Sequence, residues 1–186
     1  MSLIRRDLLR TCTVAALASL LVTSCSGKLH DYAIPHSICE TPISRQLTEP
    51  LLQPIGTVSE WTSVGFRTAG ESSWCVVFVN GNDAVHVNFA SHSGAMDPMS
   101  AASPDDPVTG LQNPRPIRLS DSAVIGDDGA IATTHCKDKA GADHFTLALK
   151  VTRGEVSARR TVAIERFMRA YMPATVRTLG CLKEKE

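Results

Sequence analysis

Six cysteines and six histidines carry most of the reactive chemistry in this 186-residue chain. The histidines are His30, His36, His86, His92, His135 and His144. No two of them stand four apart, as on the ligand face of a zinc-binding helix. His86 and His92, in HVNFASH, fall on or just beyond one strand with no carboxylate motif to complete a site. His135 adjoins Cys136, the residue types of a thiol nucleophile and its base, but neighbours on a strand point to opposite faces and cannot meet. Asp105-Asp106 and Asp127-Asp128 offer paired carboxylates. Asp127-Asp128-Gly129 is ordinary turn chemistry, and no twelve-residue calcium loop surrounds it. A Gly-x-Ser-x-Gly elbow, a phosphate loop and a dinucleotide fingerprint are all missing from the sequence. The chain therefore reads as non-enzymatic, with no catalytic residue, metal or cofactor expected.

The cysteines sort by position. Arg5, Arg6 and Arg10 precede an apolar run over residues 11–23 that is too short to span a hydrocarbon core comfortably, the plan of an export signal. Val22-Thr23-Ser24-Cys25 then resembles a bacterial lipobox, which implies that residues 1–24 are removed and that Cys25 receives a thioether-linked diacylglycerol, usually with a further acyl chain such as palmitate on its new amino terminus. Two or three chains hold a protein stably at a membrane, since each buried CH₂ contributes roughly 0.8 kcal/mol. RRDLLR, residues 5–10, also looks like a twin-arginine signal, although Ile4 replaces the usual polar residue before the pair. The expected location is the outer face of the cytoplasmic membrane, with residues 25–38 as lipidated cysteine and tether and residues 39–186 as one extracytoplasmic domain.

Cys12 leaves with the signal, so Cys39, Cys75, Cys136 and Cys181 remain in an oxidising compartment, and two disulfides are expected. Wide spacing rules out a local zinc knuckle. Four cysteines allow three connectivities; Cys39–Cys75 with Cys136–Cys181 is preferred because it ties each terminal segment to a strand. Residues 1–24 hold Arg5, Arg6, Arg10 and Asp7, so of 19 basic and 19 acidic residues the remainder keeps 16 and 18, a net charge of −2. This balance excludes a nucleic-acid surface, which needs clustered excess Lys and Arg.

Residues 41–55 read as a helix with Leu47, Leu51 and Leu52 on its apolar stripe and Ser44 as a cap. A strand follows over 57–64. WCVVFV, Asn80-Gly81-Asn82-Asp83 and AVHVNFA form the strongest local signal, a hairpin of residues 74–79 and 84–90 whose Asn-Gly supplies the positive backbone angles of a tight turn. Val85, Val87 and Phe89 share one face of its second strand; His86 and Asn88 share the other. Residues 91–116 hold five prolines and no sustained period, and read as a long surface loop. Residues 122–125 and 130–136 flank a second turn, 144–152 alternate as a further strand, and 160–179 carry Ala163, Ile164, Phe167, Met168, Tyr171 and Val176 at helical spacing, with a bend at Pro173. The expected fold is α+β: an antiparallel sheet of about five strands covered on one face by an N-terminal helix and a long C-terminal helix.

Ile38-Cys39 leading into the Pro/Leu-rich segment, SSWCVVFVNG, the strand pair ending at Cys136 and the helix closing on Gly180-Cys181 together resemble a group of actinobacterial secreted lipoproteins of unknown function. The resemblance spans residues 39 to 181 and implies location, paired cysteines and fold class; related domains that act as extracellular sensors point toward ligand binding. The expected role is binding or sensing of a small ligand or an envelope protein, through the open face of the sheet or the 91–116 loop. A structural accessory protein of the envelope, or a hydrolase without a local motif, are the other classes. A binder should show a concave apolar pocket with converging polar groups; an accessory protein, a convex and evenly charged surface.

Overall fold

The computed structural model describes residues 30–63, 72–138, 140–179 and 181. Cys25 and the residues read as an export signal lie outside the described residues. Alternation of side chains builds the sheet. In the strand Ser73–Val79 (β4), Cys75, Val77 and Val79 are buried on one face, while Trp74 and Phe78 are half-buried on the other. Asn80 and Gly81 take φ of 55° and 70°, as their types dictate, and return the chain as Asn82–His92 (β5). Val58–Thr62 (β3) pairs outside β4. On the far side of β5 come His144–Val151 (β9), Gly129–His135 (β8), Ser122–Ile125 (β7) and Arg115–Pro116 (β6), giving one antiparallel sheet in the order β3-β4-β5-β9-β8-β7-β6.

The inner face carries Val77, Val79, Val85, Val87, Phe89, Ala132, Phe145, Leu147 and Leu149, and the helix Ala158–Leu179 (α3) lies across it. Ile164, Phe167, Met168, Tyr171 and Met172 recur at helical spacing and are all buried, each contributing roughly 1.5–3 kcal/mol. The chain before the sheet closes the same layer. Ser37–Ile38 (β1) and Thr41–Pro42 (β2) form a small separate sheet, Ile34 and Ile38 enter the core, and the Tyr171 hydroxyl donates to the Ile38 carbonyl at 2.8 Å. Residues 30–38 thus lie packed on the domain. Two disulfides fasten this layer: Cys39–Cys75 joins the N-terminal segment to β4, and Cys136–Cys181 joins the end of β8 to the chain after α3, with Cα separations of 5.8 and 5.1 Å.

Several expectations are corrected. The sheet has seven strands and not about five: the strand segments read from the sequence, β3 among them, all join it, and the two-residue β6 adds an edge inside the segment read as a loop. The helix expected over 41–55 is a single turn, Arg45–Thr48 (α1), followed by a 3₁₀ turn at Glu49–Leu51. Thr41 and Pro42 are taken by β2, Pro50 and Pro54 stop propagation, and Ser44 stands at the N-cap without a side-chain hydrogen bond. Pro173, read as the place of a bend, lies inside α3 on its exposed side and does not end the helix. Among the described residues, no helix is long and apolar enough to cross a membrane.

The largest correction concerns residues 91–116. This segment contains the short helix Pro98–Ala101 (α2) and β6, and it covers half of the outer face of the sheet. Val124, Ile131 and Ala148 are buried there under Ala102 and Leu111, forming a second, smaller core. A Cβ at Gly129 would collide first with the Leu149 backbone oxygen on β9 and would also lie 2.8 Å from Leu111 Cδ2, so glycine serves the close approach of β8 to β9 and leaves room for Leu111 above it. Asp128 fixes it further: one carboxylate oxygen accepts from the Gln112 amide at 2.9 Å, the other meets Lys150 Nζ at 3.0 Å, and that ammonium also donates to the Gly110 carbonyl.

Candidate functional site

Among the described residues, nothing covers the other half of the outer face, over β3, β4 and β5, which forms a groove of about 520 Å³. Its floor is set by register. Trp61 on β3 stands opposite Val76 on β4, and Val76 opposite His86 on β5, whose other neighbour is Lys150 on β9. Trp74 stands opposite Asn88 one pleat along, which puts the two tryptophans in a diagonal same-face pair with ring centroids 4.5 Å apart, edge to face. Trp61 remains 59% exposed. Pro107 and Val108, from the covering segment, stand over the groove as its far wall, with Val108 52% exposed.

The polar groups converge through a bulge. Residues three apart on a regular strand face opposite ways. The β4–β5 register slips between Val77 and Phe78, with Val77 opposite Val85 but Phe78 opposite Asp83, so Ala84 is the extra residue. Asp83 therefore joins the outer face and its Oδ2 meets His86 Nε2 at 3.0 Å. Lys150 is matched by Asp128, whose side chain is almost wholly buried. Among the described residues, neither the Asn88 amide nor the two indole N–H groups has a hydrogen-bond partner. The groove thus combines aromatic and aliphatic walls, compensated charges, and donors and acceptors left free for a ligand.

The wall is held by carboxylates. Asp106 accepts from the amides of Val108 and Thr109, both at 2.8 Å, and these hydrogen bonds hold its carboxyl below the usual carboxylate range. Asp97, at the N-cap of α2, is lowered in the same way by Ser100 and Met99, and Asp143 by the His144 imidazole and the Gly94 amide. Asp127 accepts from Asn113 Nδ2 at 2.7 Å. The two aspartate pairs singled out from the sequence, Asp105-Asp106 and Asp127-Asp128, thus contribute three carboxylates that bind the covering segment.

The remaining histidines lie elsewhere. His30 is buried, with Nδ1 3.3 Å from Glu49 Oε1 and Nε2 3.2 Å from the Leu52 carbonyl oxygen; His36 is exposed. His92, His144 and His135 stand in one cross-strand row on β5, β9 and β8, with neighbouring rings 6.0 and 5.4 Å apart. Thr146 and Gly94 occupy both nitrogens of His92, and Asp143 occupies one of His144. Among the described residues, no group of three His, Cys, Asp or Glu side chains is arranged to hold a metal ion. His135 and Cys136 diverge as strand neighbours should, the cysteine entering its disulfide. Cys25 lies outside the described residues.

Neither Trp61 nor Trp74 is singled out by the sequence reading as a site residue. The usable signal was two tryptophans on strands of one hairpin-like pairing, in a chain with only two. No family model, curated protein or solved structure matches the chain, so the site rests on its own geometry.

Proposed function

We propose that the protein is an extracytoplasmic lipoprotein, anchored through Cys25, whose domain binds a neutral, ring-bearing small ligand in the Trp61–Trp74 groove without catalysing a reaction. The observation that carries this reading is the pairing of an exposed indole with free hydrogen-bonding groups in a groove of about 520 Å³, within the usual size range of small-molecule sites. Charge argues against an ionic ligand, because Lys150 and Asp83 already have partners. A pyranoside matches what is left: an apolar face of C–H groups to lie on Trp61, and hydroxyls to meet Asn88, His86 and the indole N–H groups.

The export signal and lipobox over residues 1–25 and the two disulfides support placement outside the cytoplasm. The resemblance to actinobacterial lipoproteins agrees with that placement. Titration of the purified protein with a panel of neutral mono- and disaccharides, followed by intrinsic tryptophan fluorescence, tests the groove. At least one saccharide is expected to give saturable quenching or a blue shift, and Trp61→Ala is expected to weaken it about 30-fold, as for a binding hot spot worth roughly 2 kcal/mol. Saturable binding that Trp61→Ala leaves unchanged removes the groove from consideration; no binding across the panel favours an accessory role in the envelope.

A further inference from the structure

The chain as a whole is electrically balanced, with 19 basic and 19 acidic residues, yet α3, the longest helix among the described residues, is not. α3 contains Arg159, Arg160, Arg166, Arg169 and Arg177 against the single acid Glu165. The exposed stripe of α3 runs Arg159, Val162, Arg166, Arg169, Pro173, Arg177, at spacings of three and four that keep it on the side opposite the core. Four of its six residues are arginine. Glu165 is committed to Arg169 at 2.6 Å, and Arg169 also donates to the Arg118 carbonyl at 2.7 Å, which brings a further exposed arginine beside the stripe. Val162, 47% exposed, is the one large apolar side chain between the cations.

The start of the described chain lies at the same end of the molecule. His30 lines a crevice with Arg159, Arg160 and Ala163 of the first turns of α3. Five residue steps separate Cys25 from His30, a reach of about 18 Å when fully extended. A lipid carried on Cys25 therefore holds the N-terminal half of this helix, about 33 Å long, close to the headgroups.

We infer that the arginine face of α3 is a membrane-docking surface for anionic phospholipid headgroups, which lays the helix along the bilayer and turns the ligand groove away from it. The inference rests on the anchor at Cys25 proposed above. Its geometric consequence follows from the layers: α3 covers the inner face of the sheet and the groove opens on the outer face, so docking one exposes the other. Each arginine near a charged surface is worth about a fivefold change in binding. Salt weakens the attraction, because the guanidinium groups are exposed and screened.

The test uses the lipidated full-length product reconstituted into vesicles of phosphatidylcholine alone or in equal parts with phosphatidylglycerol. A fluorophore is placed by Val162→Cys on the stripe or by Val108→Cys beside the groove, and quenched by a nitroxide on the lipid headgroup. Quenching at position 162 is expected to exceed that at 108 several-fold on phosphatidylglycerol vesicles, to fall toward the 108 level in high salt or in the Arg159→Glu/Arg166→Glu variant, and to survive Arg159→Lys/Arg166→Lys. Equal quenching at the two positions, or indifference to charge reversal, overturns the orientation. Intact mass separates the two readings: an unmodified Cys25 defeats the anchor and the docking together, whereas a diacylated Cys25 with equal quenching defeats docking alone.

Discussion

Asp106 illustrates how single residues set the site. Its carboxylate caps the turn that presents Pro107 and Val108 to the groove. Asp97 and Asp143 hold neighbouring parts of the same outer layer, and hydrogen bonds depress all three carboxyls. A depressed folded-state pKa adds stability that is present above the unfolded value, about 3.9, and lost as pH falls through the folded value. Amide exchange over residues 97–110, corrected for its intrinsic pH dependence, should therefore show protection at pH 5 that declines below about pH 4. Asp106→Ala should reproduce that loss locally at pH 7; unchanged protection at Val108 and Thr109 in the variant would contradict the role assigned to this carboxylate. At this scale the sequence was legible where local chemistry decides, as at Asn80-Gly81. It was not legible at Ala84, because the bulge that brings Asp83 beside His86 depends on the cross-strand partner and leaves the alternating pattern of AVHVNFA unchanged.

Among the elements, the segment 91–116 behaves as part of the core. Leu111 is 2% exposed and packs with Ala102, Val124, Ile131 and Ala148. Leu111→Ala should cost about 2–5 kcal/mol in equilibrium urea unfolding, the range for a buried leucine, whereas a true surface loop would lose almost nothing. The signal for this cover was present in AVIG and GAIATT, whose uninterrupted apolar and small residues are those of strands buried on both faces, but they do not say which segment supplies the lid. Proline content pointed toward a loop; the apolar residues that mattered, Ala102 and Leu111, carry no period. The segment 41–55 failed for a related reason. Leu51 and Leu52 are buried as its apolar stripe implied, but Pro50 and the pairing of Thr41 limit the helix to one turn. α3 was readable almost in full because twenty-two residues of consistent spacing outweigh one proline.

In the molecule as a whole, the two disulfides close loops with sequence separations of 36 and 45 residues and tie the helical layer to the sheet. Replacing Cys136 and Cys181 together with serine should lower stability by about 2–4 kcal/mol in denaturant unfolding while leaving the groove, on the opposite face, able to bind. Cys25→Ala should move the protein from the membrane fraction into the medium or into an unprocessed precursor; mature protein still membrane-bound would remove the anchor. That two disulfides form is legible in sequence from four cysteines; which of the three connectivities they take is decided by the fold. The groove is not legible in sequence, since Trp61, Trp74, Asn88 and Val108 meet only after three strands and the covering segment are in register. The most direct test of the account is a saccharide titration followed in the amide and indole resonances of the folded protein. The account predicts saturable shifts confined to Trp61, Trp74, Val76, His86, Asn88 and Val108. Shifts centred on the His92, His144 and His135 row or on the crevice beside His30, with the tryptophan resonances unmoved, would contradict it.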